Sequence, residues 1–321
     1  MSLILECIRT VGRGERGRKP LSFEQAFEVM STYLQQSDDQ EQIGDDQMAM
    51  LLMLIRVNNE TPEEIAGFIK AFQSQMPKIK ADIDWPCYAG KRGEEPWHGL
   101  AAKILADQGY KVLIHGDLDA KGKREHIAGY LSLFDIKTAS SMQDAERLLI
   151  AHNIAYLPLD VFAPKALKML QWKHRYGLRT PINTMARGLN PAAADIGIRG
   201  SFHPGYGELH ARVDQLVDSE SLNVVSFKGQ HGEAEYNPNV SQSIWLSTSD
   251  GVRDFYLAEN KQDDLMLPKQ PIFQGDAKTQ LHIANVVVST LTAVLFAKYQ
   301  DYNQAFEQAM DYWRQYCQQS N

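Results

Sequence analysis

The chain has 321 residues, of which 44% are hydrophobic and 23% are charged, and its formal net charge at pH 7 is -7. This length predicts two domains, and the composition is that of a soluble globular protein with enough apolar residues for sizeable cores. No unbroken apolar run approaches the roughly 18 residues of a membrane span, so we expect no membrane association.

The N-terminus and the cysteines indicate the compartment. The first ten residues contain Glu6 and lack the basic lead and cleavage site of a secretory signal. Cys7, Cys87 and Cys317 are odd in number and lie far apart, without the spacing of a metal site. We therefore predict a cytoplasmic protein with free thiols, no metal ion and no cofactor; a magnesium ion held by Glu233 and Glu235 is the disfavoured alternative.

Three amphipathic helices are predicted in the first part of the chain. Ser22 and Gln25 have the spacing of a capping box at the start of one helix. A second helix is predicted over 45–57, and Thr61 with Pro62 begins a third. A bundle this small cannot bury all of its apolar side chains alone, which predicts a dimer through this lobe. The side chains concerned are Phe23, Phe27, Met30, Met48 and Met53.

The pattern changes after residue 82. Short aliphatic runs such as 111–114 and 223–227 alternate with helical stretches, which predicts a sheet flanked by helices. Two further helices are predicted near the C-terminus, over 277–296 and 299–318.

Several motifs, in preserved order, resemble one protein family. They are similar to the helical segment and the crossing segment of the anthranilate phosphoribosyltransferases and class II nucleoside phosphorylases, and the resemblance covers nearly the whole chain. The motifs are GRKPLS at 17–22, GDDQMAMLLMLIR at 44–56, ETPEEIAG at 60–67, LRTPIN at 178–183, GLNPA at 188–192 and FHP at 202–204.

This resemblance implies an α/β fold of the nucleoside phosphorylase and phosphoribosyltransferase type. A small, discontinuous helical-bundle domain would comprise residues 1–76 and 165–194. The larger α/β domain would comprise residues 77–164 and 195–321. The resemblance also implies a homodimer formed through the helical lobes.

The first substrate loop of the family is altered here. The family has a glycine-rich Gly-Thr-Gly-Gly-Asp loop, because residues without a side chain let backbone N–H groups approach a pyrophosphate. The corresponding residues 82–93 read DIDWPCYAGKRG. Trp85, Pro86 and Tyr88 are expected to crowd this cradle, and Pro86 has no N–H to donate.

The second loop and the remaining substrate positions are only partly retained. Its lysine is replaced by Ile114, and the hydroxyl side chains that follow in the family are absent. The residues that correspond to the family's substrate site are His115, Gly116, Asn183, His231, Glu233 and Glu235.

Two further family positions differ in chemistry. The Asp-Glu pair that holds magnesium in the family corresponds to Ala234 and Glu235, so one hard oxygen ligand is missing. The arginine that engages the anthranilate carboxylate corresponds to Lys173. These losses argue against inherited transferase activity, so we identify no catalytic residue and incline against an enzyme.

Basic residues are concentrated where the resemblance places the cleft between the domains. As a set they predict a phosphate-binding groove, although several could instead form salt bridges with acidic parts of the chain. The basic residues are Lys91, Arg92, Lys121, Lys123, Arg124, Lys165, Lys168, Lys173, Arg175, Arg179, Arg187 and Lys228.

These features favour a nucleic-acid-binding protein that holds DNA or RNA, single strands included, with little sequence preference. They resemble a divergent, YbiB-type paralogue group of the family that is associated with nucleic-acid binding. The alternative is a glycosyltransferase of the phosphoribosyltransferase or nucleoside phosphorylase type, with an unknown acceptor.

Overall fold

A computed structural model describes residues 2–37, 42–118, 122–218, 220, 223–269 and 275–319. The chain begins with a bundle of four helices, in which α2 packs along α4 and α1 lies against α3. The bounds are α1 Leu3–Gly12, α2 Phe23–Gln35, α3 Asp45–Val57 and α4 Pro62–Gln73.

The predicted helix starts are confirmed, and side-chain capping explains them. The Ser22 hydroxyl accepts from the backbone N–H of Gln25, and the Gln25 side chain accepts from the N–H of Ser22, at 3.2 and 3.1 Å. Thr61 and Glu64 form the same box at α4. Glu64 also accepts from the N–H of Leu21 at 3.0 Å, which ties the start of α2 to the start of α4.

A seven-stranded sheet forms the centre of the larger lobe, in the order β3-β2-β1-β4-β5-β6-β7. The first five strands in this order are parallel, and the last two pair antiparallel. The strands are β1 Ile83–Cys87, β2 Val112–Gly116, β3 Ile154–Pro158, β4 Ile196–Ser201, β5 Asn223–Lys228, β6 Gln242–Thr248 and β7 Gly251–Leu257.

Helices cover both faces of this sheet. One hydrophobic core joins the N-terminal bundle to α6, α8 and part of α10. The other lies between the opposite face and α5, α11 and α12. The bounds are α5 His98–Asp107, α6 Met142–His152, α7 Leu159–Phe162, α8 Pro164–Tyr176, α9 Ile182–Met185, α10 Tyr206–Val217, α11 Ala277–Tyr299 and α12 Tyr302–Gln319.

The predicted fold class is confirmed, since a helical bundle stands beside a larger α/β lobe with a mixed sheet. α8 returns to the bundle, where Trp172 packs edge-on against Tyr33 at a ring separation of 6.5 Å. The domain boundaries given above stay a prediction.

Helix α11 is the one described helix whose length and composition would suit a membrane span. Its most apolar 18-residue window has a mean hydropathy of 1.6, but 83% of that window is buried inside the fold. Burial between the sheet and its neighbouring helices accounts for the apolar composition, as in the core helix of a globular domain.

The bundle buries more of its apolar surface than the sequence suggested. Met30 and Met48 are fully buried, and Phe23 and Phe27 pack against the same core. The number of apolar side chains in the bundle is therefore not a reason to expect a dimer. A second apolar stripe remains on the outer side of α3, where Met50 is 55% and Val57 71% exposed.

The dimer stays a prediction, and this stripe is where we expect the contact. Changing Met50 and Val57 together to Glu should convert a dimer to a monomer, because buried carboxylates are costly without a partner. Sedimentation at micromolar concentration measures the mass. Ile150→Glu, which alters an equally exposed apolar residue on α6, is the matched control. A wild-type monomer would contradict the prediction.

Candidate active site

The candidate site lies where the carboxyl ends of β1 and β4 separate. Strand β1 pairs with β2 from Ile83 to Cys87, but it pairs with β4 only at Ile83 and Asp84. The strand order also reverses between β1 and β4, and open parallel sheets bind ligands at such a point.

The segment that follows β5 fills this gap. A Cβ atom on Gly200 or on Gly229 would overlap the carbonyl oxygen of Glu233, so both backbones approach it without a side chain between them. The indole N–H of Trp85 donates to the carbonyl of Ala234 at 3.1 Å. Trp85 therefore points into the core and does not crowd the loop, contrary to the expectation from the sequence.

The carboxylate of Glu233 occupies the loop itself. Its Oε1 accepts from the backbone N–H of Ala89 at 2.8 Å and from the N–H of Gly90. Glu233 is only 2% exposed. Two adjacent amides are thus satisfied by a carboxylate of the same chain, in the position where the resemblance implies a pyrophosphate cradle.

Glu235 is held in a second buried network. It pairs with the ammonium of Lys91 and accepts from the backbone N–H of His98 at 2.8 Å, and its Oε2 lies 3.2 Å from His98 Nδ1. Burial alone would raise the pKa of Glu235, yet Lys91 and His98 together hold it below the ordinary value. The carboxylate is therefore charged and fully engaged.

These contacts do not fit the magnesium ion that the family resemblance implies. Ala234 offers no ligand, and the carboxylate of Glu235 is already bound by an ammonium and an imidazole. Mg²⁺ requires hard oxygen ligands in octahedral geometry. The residues present therefore do not form a magnesium site.

A Cys-His-Glu group lies beside this network. Cys87, His98 and Glu233 bring their ligand atoms within 4.8 Å of one another. Cys87 Sγ lies 3.3 Å from His98 Nε2, while Nδ1 faces Glu235. Burial raises the pKa of the Cys87 thiol well above its usual range, so it stays a neutral thiol that lies within hydrogen-bond distance of His98 Nε2 and of the Trp85 carbonyl.

A chain of buried side chains supports the loop from below. The Tyr88 hydroxyl lies 2.7 Å from His115 Nδ1, and His115 Nε2 lies 3.0 Å from Asp84 Oδ1. Arg199 then donates to both Asp84 and Asp214, at 2.9 and 3.3 Å. His115, expected as a substrate residue, therefore orients Tyr88.

The two carboxylates that share Arg199 have pKa values that are shifted in opposite directions. Burial would raise the pKa of Asp84, but His115 and Arg199 hold it below the ordinary value. For Asp214, burial outweighs Arg199 and raises the pKa to about 6. Its buried Oδ2 has no hydrogen-bond partner among the described residues, which fits a carboxyl that takes up a proton.

A cationic cavity of about 580 Å³ opens in front of the loop. None of the described residues that line it is acidic. Burial and the nearby Arg179 lower the pKa of Arg124, and the same two causes lower that of Lys173. The positive charges thus repel one another, as expected of a site for an anion. The lining comprises Tyr88, Ala89, Arg92, Gly122, Lys123, Arg124, His126, Lys173 and Arg179.

A smaller pocket of about 60 Å³ adjoins this cavity, and Arg179 lines both. It holds about two water volumes, which is too small for an aromatic ring unless the exposed Phe202 and His203 move. Its lining comprises Arg56, Arg179, Thr180, Asn183, Thr184, Arg187, Ser201, Phe202, His203, Tyr206 and His210.

Of the other basic residues that were expected in a groove, those that the structure describes are engaged elsewhere or do not line the cavity. Lys165 donates to the carbonyls of Tyr33, Leu34 and Gln36, all at 3.0 Å. Lys168 pairs with Asp45 at 2.7 Å. Arg187 donates to the carbonyls of Asn183 and Gly232, Arg175 lies over Tyr176, Lys228 is exposed at the end of β5, and Lys121 lies outside the described residues.

The remaining expected positions have mainly structural contacts. His231 Nδ1 lies 3.4 Å from the backbone N of Arg92. Gly116 has no room for a Cβ atom, which would overlap the carbonyl of Cys87 on the neighbouring strand.

The sequence reasoning missed several residues that build the site. Asp84 and His98 are completely buried and were not singled out, and Arg199, which the charge pattern had suggested only as a cation of the cleft, is completely buried as well. A signal was present, because charged residues are seldom found inside buried strands such as β1 and β4 unless they are paired.

Comparison with known proteins identifies the scaffold. Residues 5–76 match the helical bundle domain of a glycosyl transferase family. The anthranilate phosphoribosyltransferase TrpD of Thermus thermophilus superimposes with a TM-score of 0.72 at 19% identity, over 97% of this chain and 94% of that one. The predicted family resemblance is confirmed.

Other anthranilate phosphoribosyltransferases agree. The Saccharomyces cerevisiae enzyme, solved in complex with PRPP and Mg, gives a TM-score of 0.70 at 14% identity, over 99% and 95% of the two chains. The Geobacillus thermodenitrificans enzyme is 24% identical over 281 residues, 86% of this chain and 78% of its own. A relative without a stated activity, the uncharacterised Escherichia coli protein YbiB, is 24% identical over 270 residues, 82% of each chain.

The predicted nucleic-acid-binding function, with its DNA-binding and RNA-binding roles, is wrong. The similar solved structures, and the relatives that have a stated activity, are anthranilate phosphoribosyltransferases, which favours the glycosyltransferase alternative. The physical reason is the arrangement of charge. Five of the basic residues converge on one cavity of small-molecule size, and Lys91, Lys165, Lys168 and Arg187 are held by acids or carbonyls.

The close approach of Gly200 to Glu233 gives a first test of how the segment that follows β5 packs between β1 and β4. Gly200→Ala should destabilise the protein by roughly 3 kcal/mol, the upper part of the range for overpacking, because backbone atoms cannot move aside. Urea unfolding measures the change. Gly129→Ala is the control, since its Cβ would meet nothing within 4 Å. Equal unfolding free energies of the two variants would contradict the close packing of Glu233 against Gly200.

The raised pKa of Asp214 gives a second test. Because the folded-state pKa, about 6, lies above the 3.8 of an unperturbed aspartate, the folded state loses stability as pH rises through this interval. Relative to Asp214→Asn, the wild type should lose about 3 kcal/mol of unfolding free energy between about pH 4 and pH 7. Urea unfolding across this range measures it, with the exposed Asp254→Asn as control. Parallel curves of unfolding free energy against pH for wild type and Asp214→Asn would refute the raised pKa of Asp214.

Proposed function

We propose that this chain is a glycosyltransferase of the pentosyltransferase type, whose cationic cavity binds the phosphate of a phosphorylated pentose. The observation that carries the proposal is the convergence of five cationic side chains on one cavity, with no acidic residue among the described lining. These side chains are Arg92, Lys123, Arg124, Lys173 and Arg179. The scaffold shared with the phosphoribosyltransferases supports it.

The cavity is suited to the chemistry of pentosyl transfer. In such a reaction the bond from C1 of the pentose to a phosphate oxygen breaks, and the electron pair leaves with the phosphate. C1 then bonds to a nitrogen of the acceptor, which releases its proton. Fixed cations around the leaving phosphate stabilise the charge that develops on it, and they need no reorganisation as it forms.

The adjoining small pocket is the proposed entrance for the acceptor. Arg179 lines both spaces, so it lies between a phosphate in the cavity and an acceptor in the pocket. The exposed Phe202 and His203 border this pocket and would move to admit a planar ring. The proposal includes a cytoplasmic location, which the three free and buried cysteines support.

Binding of ribose 5-phosphate tests the phosphate site. Wild type should bind it and not ribose, and changing Lys173 and Arg179 together to Met should weaken binding at least about a hundredfold, since each charged contact contributes about 1.5–3 kcal/mol. Calorimetric titration measures the affinity. Arg175→Met is the matched control, because Arg175 is on the same helix as Lys173 but does not line the cavity.

Transfer itself is tested with ribose 1-phosphate and phosphoribosyl pyrophosphate as donors and a panel of nitrogen heterocycles and aromatic amines as acceptors. Mass spectrometry should detect a pentosylated acceptor that is absent with the Lys173, Arg179 double variant. Equal affinity for ribose and ribose 5-phosphate, or no product from any pair, would contradict the proposed function.

A further inference from the structure

The position expected for a metal ion is taken by a cation of the chain. The side chain of Lys91 is completely buried, and its ammonium contacts Glu235 and also Glu94 at 3.3 Å. The backbone of Lys91 is fixed as well, since its N–H and C=O both pair with Glu125 at 2.9 Å. A metal ion that used Glu235 would leave this ammonium buried and unpaired, which is strongly unfavourable.

The position expected for a pyrophosphate is taken by an anion of the chain. Glu233 satisfies the N–H groups of Ala89 and Gly90, and Arg124 donates to the carbonyls of the same two residues at 3.0 Å. Gly90 has a φ of +68°, and a Cβ there would lie 2.6 Å from His126 Nε2. The loop is thus closed around Glu233, and a phosphate that entered it would displace a buried carboxylate.

The two internal ions are already compensated by the chain itself, whereas the described residues that line the cavity in front of them include no acid. Lys91 is compensated by Glu235, and Glu233 by backbone amides. The neighbouring cavity retains five cationic side chains, more than enough for the two negative charges of a phosphomonoester. A ligand there needs no metal ion to neutralise it.

We infer that this site binds a free phosphomonoester without a divalent metal ion, and that Lys91 and Glu233 replace the metal ion and the pyrophosphate of the related enzymes. The inference rests on the proposed function and narrows its substrate class. The donor would then be a pentose carrying a single phosphate, with orthophosphate as the leaving group.

The experiment compares ligands and metal conditions on the full chain. Ribose 5-phosphate is titrated into wild type with EDTA and again with excess Mg²⁺, and the two dissociation constants should agree within about twofold. Pyrophosphate is then titrated with EDTA into wild type, Glu233→Ala and the control Glu208→Ala. Removing the internal carboxylate should tighten pyrophosphate binding at least about tenfold, whereas Glu208, a half-exposed residue of α10 that pairs with Arg212, should have no effect.

The outcomes separate the inference from the proposed function. If Mg²⁺ tightens ribose 5-phosphate binding about tenfold or more, the site uses a metal ion and the inference is wrong while the proposed function stands. An unchanged pyrophosphate affinity in a folded Glu233→Ala variant would also overturn it. If ribose 5-phosphate binds under neither condition, both proposals fail together.

Discussion

The buried carboxylates of Glu233 and Glu235 determine how the two halves of the sheet are joined. They lie where β1 and β4 separate, and they bind the backbone after β1, the ammonium of Lys91 and the start of α5. A buried carboxylate is stable only if charges or N–H groups surround it. The amides of the loop after β1, the ammonium of Lys91 and the backbone N–H of His98 all satisfy this requirement.

The same arrangement separates two kinds of positive charge. Lys91 and Arg199 are completely buried and neutralised by carboxylates of the chain, so they stabilise the fold and are not available to a ligand. Arg92, Lys123 and Arg179 are exposed at the rim of a cavity whose described lining has no acid. Only the second group generates a potential that attracts an anion, which is why a count of basic residues was misleading.

Some of the site could be predicted, and the limits have a physical cause. The resemblance marked His115, Glu233 and Glu235 because it depends on positions along the chain. It could not show that His115 holds Tyr88, or that Glu233 folds back onto the amides of Ala89 and Gly90, 144 and 143 positions earlier in the chain. Asp84 and Arg199 could have been found from a simple rule, since buried strands seldom contain an unpaired charge.

The sequence by itself determined the local structure and the scaffold. The capping boxes at Ser22 and Thr61 begin α2 and α4, and the alternation of strands and helices specifies a sheet covered on both faces. These features depend on residues only a few positions apart. Tertiary structure alone decided which charges are neutralised, because Lys91 meets Glu235 and Arg199 meets Asp84 across more than a hundred residues. Electrostatic function depends on such distances in space, and spacing along the chain does not report them.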